Sequence, residues 1–156
     1  MIDDLYSAHI LRLAANLPHA GRLPAPDGTG ERVAKLCGSK AIVDVALDDQ
    51  DRISAFAQDI KACALGQAAA GVLGESVIGA TLVEIQAARD ATLAMLKTGG
   101  DGPTGRFEGL RALKQVADYP ARHASTLVAI EATLEAVHAA LARKALDTRT
   151  SLAGAA

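Results

Sequence analysis

Residues 31–57 read ERVAKLCGSKAIVDVALDDQDRISAFA, and this stretch decides the fold class. It contains three short runs with apolar alternation, Glu31–Leu36, Lys40–Leu47 and Arg52–Ala57. The middle run is rich in β-branched residues, which favour strands. Cys37–Ser39 and a polar tetrapeptide separate the runs and are short enough to join hairpins. The pattern therefore predicts three strands in an antiparallel meander.

Helical patterns lie on both sides of this meander. The first spans residues 5–17, with Asp3–Asp4 at its N-terminal end, where negative charge stabilises a helix. We expect it to end at Pro18, and His19–Gly30 to form a loop rich in helix breakers. Further on, Thr81 and the glutamate three residues later form a capping box. The helices predicted after the meander span residues 64–73, 81–97, 107–116 and 120–146, with breaks at Gly74 and Gly79 and a loop over residues 99–105.

The order of these elements indicates an α+β fold. We expect a three-stranded antiparallel sheet with helices packed on one face and a long C-terminal helix over Pro120–Leu146. Proline is well tolerated in a first helical turn, so Pro120 suits this helix start. The length of 156 residues suits one domain, which we assign to residues 1–146, with residues 147–156 as a flexible tail.

Composition excludes several classes of protein. The formal net charge of −2 is unlike the basic balance of most nucleic-acid binders. The N-terminus lacks a basic signal-peptide region, and no run of about 18 apolar residues suggests a membrane span. We therefore expect a cytoplasmic protein with reduced cysteines. The chain has 2 cysteines, too few for a disulfide framework or for four thiolate ligands from one chain.

Two stretches match known binding motifs in part, but neither has the residues or the structural context that binding requires. Gly100–Gly105 matches G-x-G-x-x-G, but it follows a predicted helix, whereas the dinucleotide fingerprint requires a preceding strand. The same stretch lacks the lysine and hydroxyl residue of a phosphate-binding loop. Asp48–Asp51 is acidic but lacks the glycine and final glutamate of a calcium loop, so we interpret it as a solvated turn.

Cys37, Cys63 and His123 remain as candidate ligands. In a meander, the turn between the first two strands lies at the same end of the sheet as the end of the third strand. Cys37 occupies that turn, and Cys63 lies where the third strand gives way to a helix. His123 follows Pro120 in the first turn of the last helix. Thiolates with an imidazole suit zinc, iron or an iron–sulfur cluster. The alternative is that each cysteine packs as a small, inert hydrophobe.

At these residues the sequence resembles the iron–sulfur cluster scaffold family, the IscU proteins and the N-terminal domain of NifU. The likeness extends from Leu5 to about Ala142. It implies the same three-stranded sheet with helices on one face. The matching segments are Leu17–Gly21 with the turn after the family's first helix, Cys37–Gly38 with its first cysteine, Lys61–Ala64 with its second cysteine, and Arg122–Leu127 with its third ligand site.

The sequence departs from the family pattern at two ligand positions. Ser39 stands where the family has aspartate, and Ala124 stands where it has its third cysteine. Asp118–Arg122 replaces the family's Leu-Pro-Pro-Val-Lys stretch. The chain therefore has one thiol fewer than its relatives.

The resemblance implies a scaffold protein, not an enzyme, for iron–sulfur cluster assembly. Such a protein takes sulfur from a cysteine desulfurase, combines it with iron into a transient [2Fe–2S] cluster, and transfers the cluster to apo acceptor proteins. Cys37 and Cys63 would be thiolate ligands and sulfur acceptors, and His123 the imidazole ligand. Ser39, or a group from a second protomer through self-association, would complete the coordination.

Two alternatives remain open. One is a zinc-binding sulfur acceptor for a cysteine desulfurase, as in the related SufU proteins. The other is a non-catalytic interaction module that keeps the fold and has lost the chemistry, an idea suggested by the missing aspartate and third cysteine.

Overall fold

The computed structural model describes residues 7–154, with side chains as far as Ser151. The expected class is confirmed: an antiparallel sheet in the order β1-β2-β3 is covered by helices, and the longest helix is C-terminal. The elements are α1 Ala8–Ala15, β1 Gly28–Ala34, β2 Ser39–Leu47, β3 Ile53–Lys61, α2 Ala64–Ser76, α3 Leu82–Thr98, a 3₁₀ segment Gly105–Asp118, a 3₁₀ turn Pro120–Arg122, and α4 His123–Gly154.

The described part of the first helix is shorter than predicted. Helix α1 is capped by Ser7, whose hydroxyl accepts a hydrogen bond from the Ile10 N–H at 3.3 Å. It ends at Ala15, ahead of Pro18. The predicted N-terminal contribution of Asp3–Asp4 and Leu5 lies outside the described residues.

Strand β1 begins at Gly28, inside the segment predicted as a loop through Gly30. Both glycines face helix α4, and both are buried. A Cβ atom on Gly28 would collide with the backbone carbonyl of Ala136, and one on Gly30 with that of Ala132. The prediction of a loop was wrong here because these two glycines are part of strand β1 and lie in its contact with helix α4. They let the backbone of a helix lie directly on a strand.

We predict that Gly30→Ala lowers the free energy of unfolding by about 3 kcal/mol, because the added methyl group meets backbone that cannot rotate away. Urea unfolding followed by circular dichroism measures this. The control is Glu31→Ala on the exposed face of the same strand, which should change stability by less than about 0.5 kcal/mol. Equal effects of the two substitutions would contradict the close approach of α4 to β1.

Helix α2 continues through Gly74, a residue predicted to break it. A Cβ atom on Gly74 would lie 2.8 Å from Gln58 Nε2 and 3.2 Å from Pro18 Cβ. Packing therefore leaves no room for a side chain at this position, and the glycine does not end the helix. The capping box of α3 is confirmed, since the Thr81 hydroxyl accepts from the Glu84 N–H and the Glu84 carboxylate accepts from the Thr81 N–H.

The C-terminal part differs from its prediction in two ways. The segment after the glycine-rich loop is a kinked 3₁₀ helix, Gly105–Asp118, in place of a short α-helix. Pro120 starts a separate 3₁₀ turn, and α4 then runs to Gly154, beyond the predicted end at Leu146. The helix continues because its sequence has no proline or glycine before Gly154. Its residues 142–151 are exposed, so this end extends past the packed body.

A buried carboxylate ties the loop after α1 to the middle strand. Asp44 is fully buried on β2 and accepts hydrogen bonds from Arg22 Nε at 2.7 Å, the Leu23 N–H at 3.0 Å and the Thr29 hydroxyl at 2.6 Å. Burial alone would raise the pKa of Asp44, but these bonds outweigh it and hold the pKa below its ordinary value. The loop after α1 thereby covers Asp44 on the face of the sheet away from α4.

One segment, Pro120–Ser151, is long and apolar enough to cross a membrane by length and composition alone. In this structure 61% of its most apolar window is buried. That is the placement of a core helix packed on its own sheet.

Candidate metal centre

Cys37 lies in the hairpin turn between β1 and β2 and is exposed. The turn closes through Gly38, whose φ of +72° suits glycine and whose N–H donates to the Ala34 carbonyl at 2.8 Å. The next residue, Ser39, is buried, and its hydroxyl lies 3.1 Å from Cys37 Sγ. The hydroxyl and the N–H of Ser39 lower the pKa of the Cys37 thiol. Leu36 beside the thiol is 82% exposed.

Cys63 is the N-cap residue of α2 and is half-buried. Its Sγ lies 3.5 Å from the hydroxyl oxygen of Ser125. Burial raises the pKa of the Cys63 thiol. The Gly66 N–H, the Ser125 hydroxyl and the Leu65 N–H stabilise the thiolate by more, so that the pKa lies below its ordinary value. This agrees with the expectation that a helix start favours a thiolate.

Ser125 lies beside Cys63. It is in the first turn of α4 and is completely buried. Its single hydroxyl hydrogen can be donated to the Arg122 carbonyl at 3.1 Å or to Cys63 Sγ at 3.5 Å. The same serine contributes to lowering the pKa of Cys37, after the larger effect of Ser39.

Two further features of the chain shape this site. Gly66 in the first turn of α2 lies against Ser125, since a Cβ atom there would be 2.9 Å from the Ser125 carbonyl oxygen. Only a glycine allows α2 and α4 to meet so closely at their N-terminal ends. The positive charge of Arg122 lowers the pKa of both Cys37 and Cys63.

His123 is buried against the 3₁₀ segment that precedes α4. Its imidazole is 3% exposed, and Nε2 lies 2.9 Å from the Val116 carbonyl and 3.2 Å from the Ala117 carbonyl. Because carbonyls only accept, Nε2 carries the proton, and the unprotonated Nδ1 is buried with no hydrogen-bond partner among the described residues. Across residues 7–154, no three His, Cys, Asp or Glu side chains are positioned for one metal ion.

The residue beside the thiols is Ser125, whereas the sequence comparison matched Ala124 to the family's third cysteine. Ala124 is exposed. The order Arg-His-Ala-Ser leaves the match around His123 open to a shift of one residue. Sequence reasoning therefore missed Ser125 and the charge of Arg122.

The donor set of this site is two thiols and two hydroxyls, from Cys37, Cys63, Ser39 and Ser125. Thiolates suit zinc, Cu(I) and iron–sulfur clusters, and two of them are half of the usual cluster ligation.

Fold and site together define a class: a small α+β domain that presents two activated thiols at one end of a three-stranded sheet. The chain belongs to the family described as NifU-like N terminal domain, whose model matches residues 5–126. The matched region includes both cysteines and Ser125.

Solved structures agree with this assignment. The crystal structure of a NifU-like protein (N-terminal) from Brucella abortus is 43% identical, with a TM-score of 0.86, over 89% of this chain and 96% of that one. A candidate iron–sulfur cluster assembly scaffold protein for the SUF system from Fervidobacterium islandicum AW-1 is 21% identical, with a TM-score of 0.77, over 85% and 96%. At 21% identity, this likeness shows only that the two proteins share a fold.

A hypothetical protein of known structure is 25% identical, with a TM-score of 0.74, over 86% of this chain and 97% of that one. A comparison with curated proteins finds no match.

We predict that Ser125→Ala shifts the pH midpoint of Cys63 alkylation upward by about one unit, because the thiolate loses a hydrogen bond. Ser39→Ala should shift the midpoint of Cys37 and leave that of Cys63 nearly unchanged. Mass spectrometry of iodoacetamide adducts between pH 6 and pH 9 separates the two cysteines. Unchanged midpoints in both variants would mean that the hydroxyls do not stabilise the thiolates.

Proposed function

We propose that this chain is a scaffold for iron–sulfur cluster assembly. The observation that carries the proposal is the pair of thiols at one end of the sheet, Cys37 in the β1–β2 turn and Cys63 at the N-cap of α2, in a chain that belongs to the NifU-like family. The iron and the sulfur are cargo, so the protein binds and transfers and is not an enzyme. The family's general role in cluster assembly supports the same conclusion.

The cargo in this proposal is a nascent [2Fe–2S] cluster or its iron. Cys37 and Cys63 supply thiolates and accept sulfur, and the Ser39 hydroxyl lies close enough to Cys37 to serve as a weak oxygen ligand. His123 is proposed as the imidazole ligand through Nδ1. Its Nε2–H is already held by backbone carbonyls, an outer contact that typically orients a metal-binding histidine.

The proposed partners follow from this role. A cysteine desulfurase delivers sulfur to Cys37, which is exposed beside Leu36 and Val33, two apolar side chains open to a protein contact. Apo iron–sulfur proteins receive the cluster. Because one chain offers only two thiolates, self-association of two chains would supply the four that a stable cluster uses. We place these steps in the cytoplasm.

Zinc is the second candidate cargo, in the role of a zinc-binding sulfur acceptor. The unpaired Nδ1 of His123 favours it, since zinc commonly takes imidazole and thiolate ligands together. Metal analysis of protein purified without added iron discriminates the two: near-stoichiometric zinc supports this role, and its absence supports the cluster scaffold.

Anaerobic reconstitution with iron and sulfide tests the main proposal. We expect visible absorption from the wild-type protein, and at least about a tenfold loss of it in Cys63→Ser, because half of the thiolate ligands are removed. His138→Gln, on the last helix away from the site, is the matched control and should behave as wild type. Equal absorption in Cys63→Ser would refute the ligand assignment.

Two cysteine substitutions test the position of a third thiolate ligand. Ser125→Cys adds a thiol beside Cys63 and should slow cluster loss to a chelator by about tenfold, since thiolates bind iron more strongly than hydroxyls do. Ala124→Cys adds a thiol at the neighbouring exposed position and should leave the rate near that of wild type. The opposite ranking would favour the family match at Ala124.

A further inference from the structure

Sulfur taken from a cysteine desulfurase arrives as sulfane sulfur, which is two electrons more oxidised than the sulfide of a cluster. This chain has 2 cysteines, and both lie at the proposed site. A pair of thiols that becomes a disulfide releases two electrons, the number required. The two cysteines can therefore supply these electrons only if their sulfur atoms can form a bond.

The fold brings them to the same place. Lys40, at the start of β2, pairs with Lys61, the last residue of β3, so the hairpin turn with Cys37 and the helix start with Cys63 lie at one end of the sheet. Cys63 Sγ is 3.5 Å from the Ser125 hydroxyl, and Cys37 Sγ is 3.1 Å from the Ser39 hydroxyl, one residue before Lys40. Both sulfurs thus lie at the same end of the sheet. Cys37 is on an exposed turn, where a small movement costs little.

The two thiols differ in access. Cys37 is exposed on the outermost turn, next to exposed Leu36, so it is the thiol that a large donor protein reaches first. Cys63 is half-buried at the N-cap of α2, behind the turn. In such an arrangement the exposed cysteine accepts the sulfur, and the half-buried cysteine acts as the resolving cysteine that attacks the persulfide.

We propose that the chain releases sulfide by itself: Cys63 attacks a persulfide on Cys37 and expels hydrosulfide. The Cys63 thiolate forms a bond to Cys37 Sγ, and the bond between Cys37 Sγ and the outer sulfur breaks. The outer sulfur leaves as hydrosulfide with the bonding electron pair and its own proton. The products are a Cys37–Cys63 disulfide and one sulfide, and the two cysteines are oxidised as the sulfane sulfur is reduced.

Neighbouring groups assist this step. The Gly66 and Leu65 N–H groups stabilise the attacking Cys63 thiolate, and the positive charge of Arg122 favours the thiolate form of both cysteines. The disulfide returns to two thiols by exchange with an external dithiol reductant. The inference rests on the proposed function for its sulfur donor, but the step itself needs only a persulfide on Cys37.

The test uses inorganic polysulfide on the full-length protein, followed by rapid gel filtration and no added reductant. Wild type should lose its extra sulfur as free sulfide at least about tenfold faster than Cys63→Ser, and its mass should fall to that of an internal disulfide. Cys63→Ser should retain a persulfide on Cys37, seen as a mass gain of one sulfur atom. Equal rates in the two proteins, or sulfide release without a disulfide, would overturn the proposal.

A second measurement does not depend on any variant. Wild-type protein oxidised with diamide should form a monomeric Cys37–Cys63 disulfide, identified by peptide mapping, and should regain both thiols with a dithiol. If only intermolecular disulfides form, the two sulfurs cannot meet and the proposal fails. Neither experiment includes iron or a desulfurase, so a failed cluster reconstitution and a failed sulfide release are separate results.

Discussion

The close contact of α4 with β1 is the constraint on which the rest of the structure depends. Gly28 and Gly30 remove the side chains that would hold the helix away, and the backbone carbonyls of Ala132 and Ala136 occupy the space. The position of α4 on the sheet follows from this contact. Because Ser125 is in the first turn of the same helix, the contact also sets where its hydroxyl lies. A site at one end of the fold is thus positioned by packing further along the same helix.

The same use of glycine recurs at the site itself. Gly66 lets the start of α2 approach the start of α4, and this approach brings Cys63 to Ser125. Two helix starts and a hairpin turn therefore meet at one end of the sheet. Helix N-termini favour thiolates, and hydroxyl donors favour them further, so the pKa of both thiols is lowered.

The chemistry of the site follows from what it holds and what it lacks. In the proposed scaffold role, thiols bordered by serine hydroxyls would bind soft metals through few strong bonds, which suits temporary cargo. A missing third thiol would limit cluster retention more than sulfur acceptance. The proposed sulfur acceptance and sulfide release require only two cysteines, whereas cluster storage would need further ligands from His123, Ser39 or a second chain.

Local patterns predicted much of this fold because local physics decides it. The strands around Val43 and Val45, the capping box at Thr81 and the cysteines at a turn and a helix start all follow from residue types and short spacings. Two of the differences between prediction and structure concern Gly30 and Gly74, which local pattern treats as breakers. A glycine in sequence does not reveal whether its missing side chain frees the backbone or makes room for a distant element.

What the sequence determined by itself was the strand meander, the helix that follows it, and the pairing of Cys37 with Cys63 at one end of the sheet. These depend on alternation, capping and the topology of consecutive strands, which are properties of neighbouring residues. Only the tertiary structure decided that Ser125 lies beside Cys63, that His123 Nε2 donates to backbone carbonyls, and that α4 rests on glycines. The rotation and depth of a helix are set by contacts with residues far away in the chain, and a shift of one residue replaces a buried hydroxyl with an exposed methyl group.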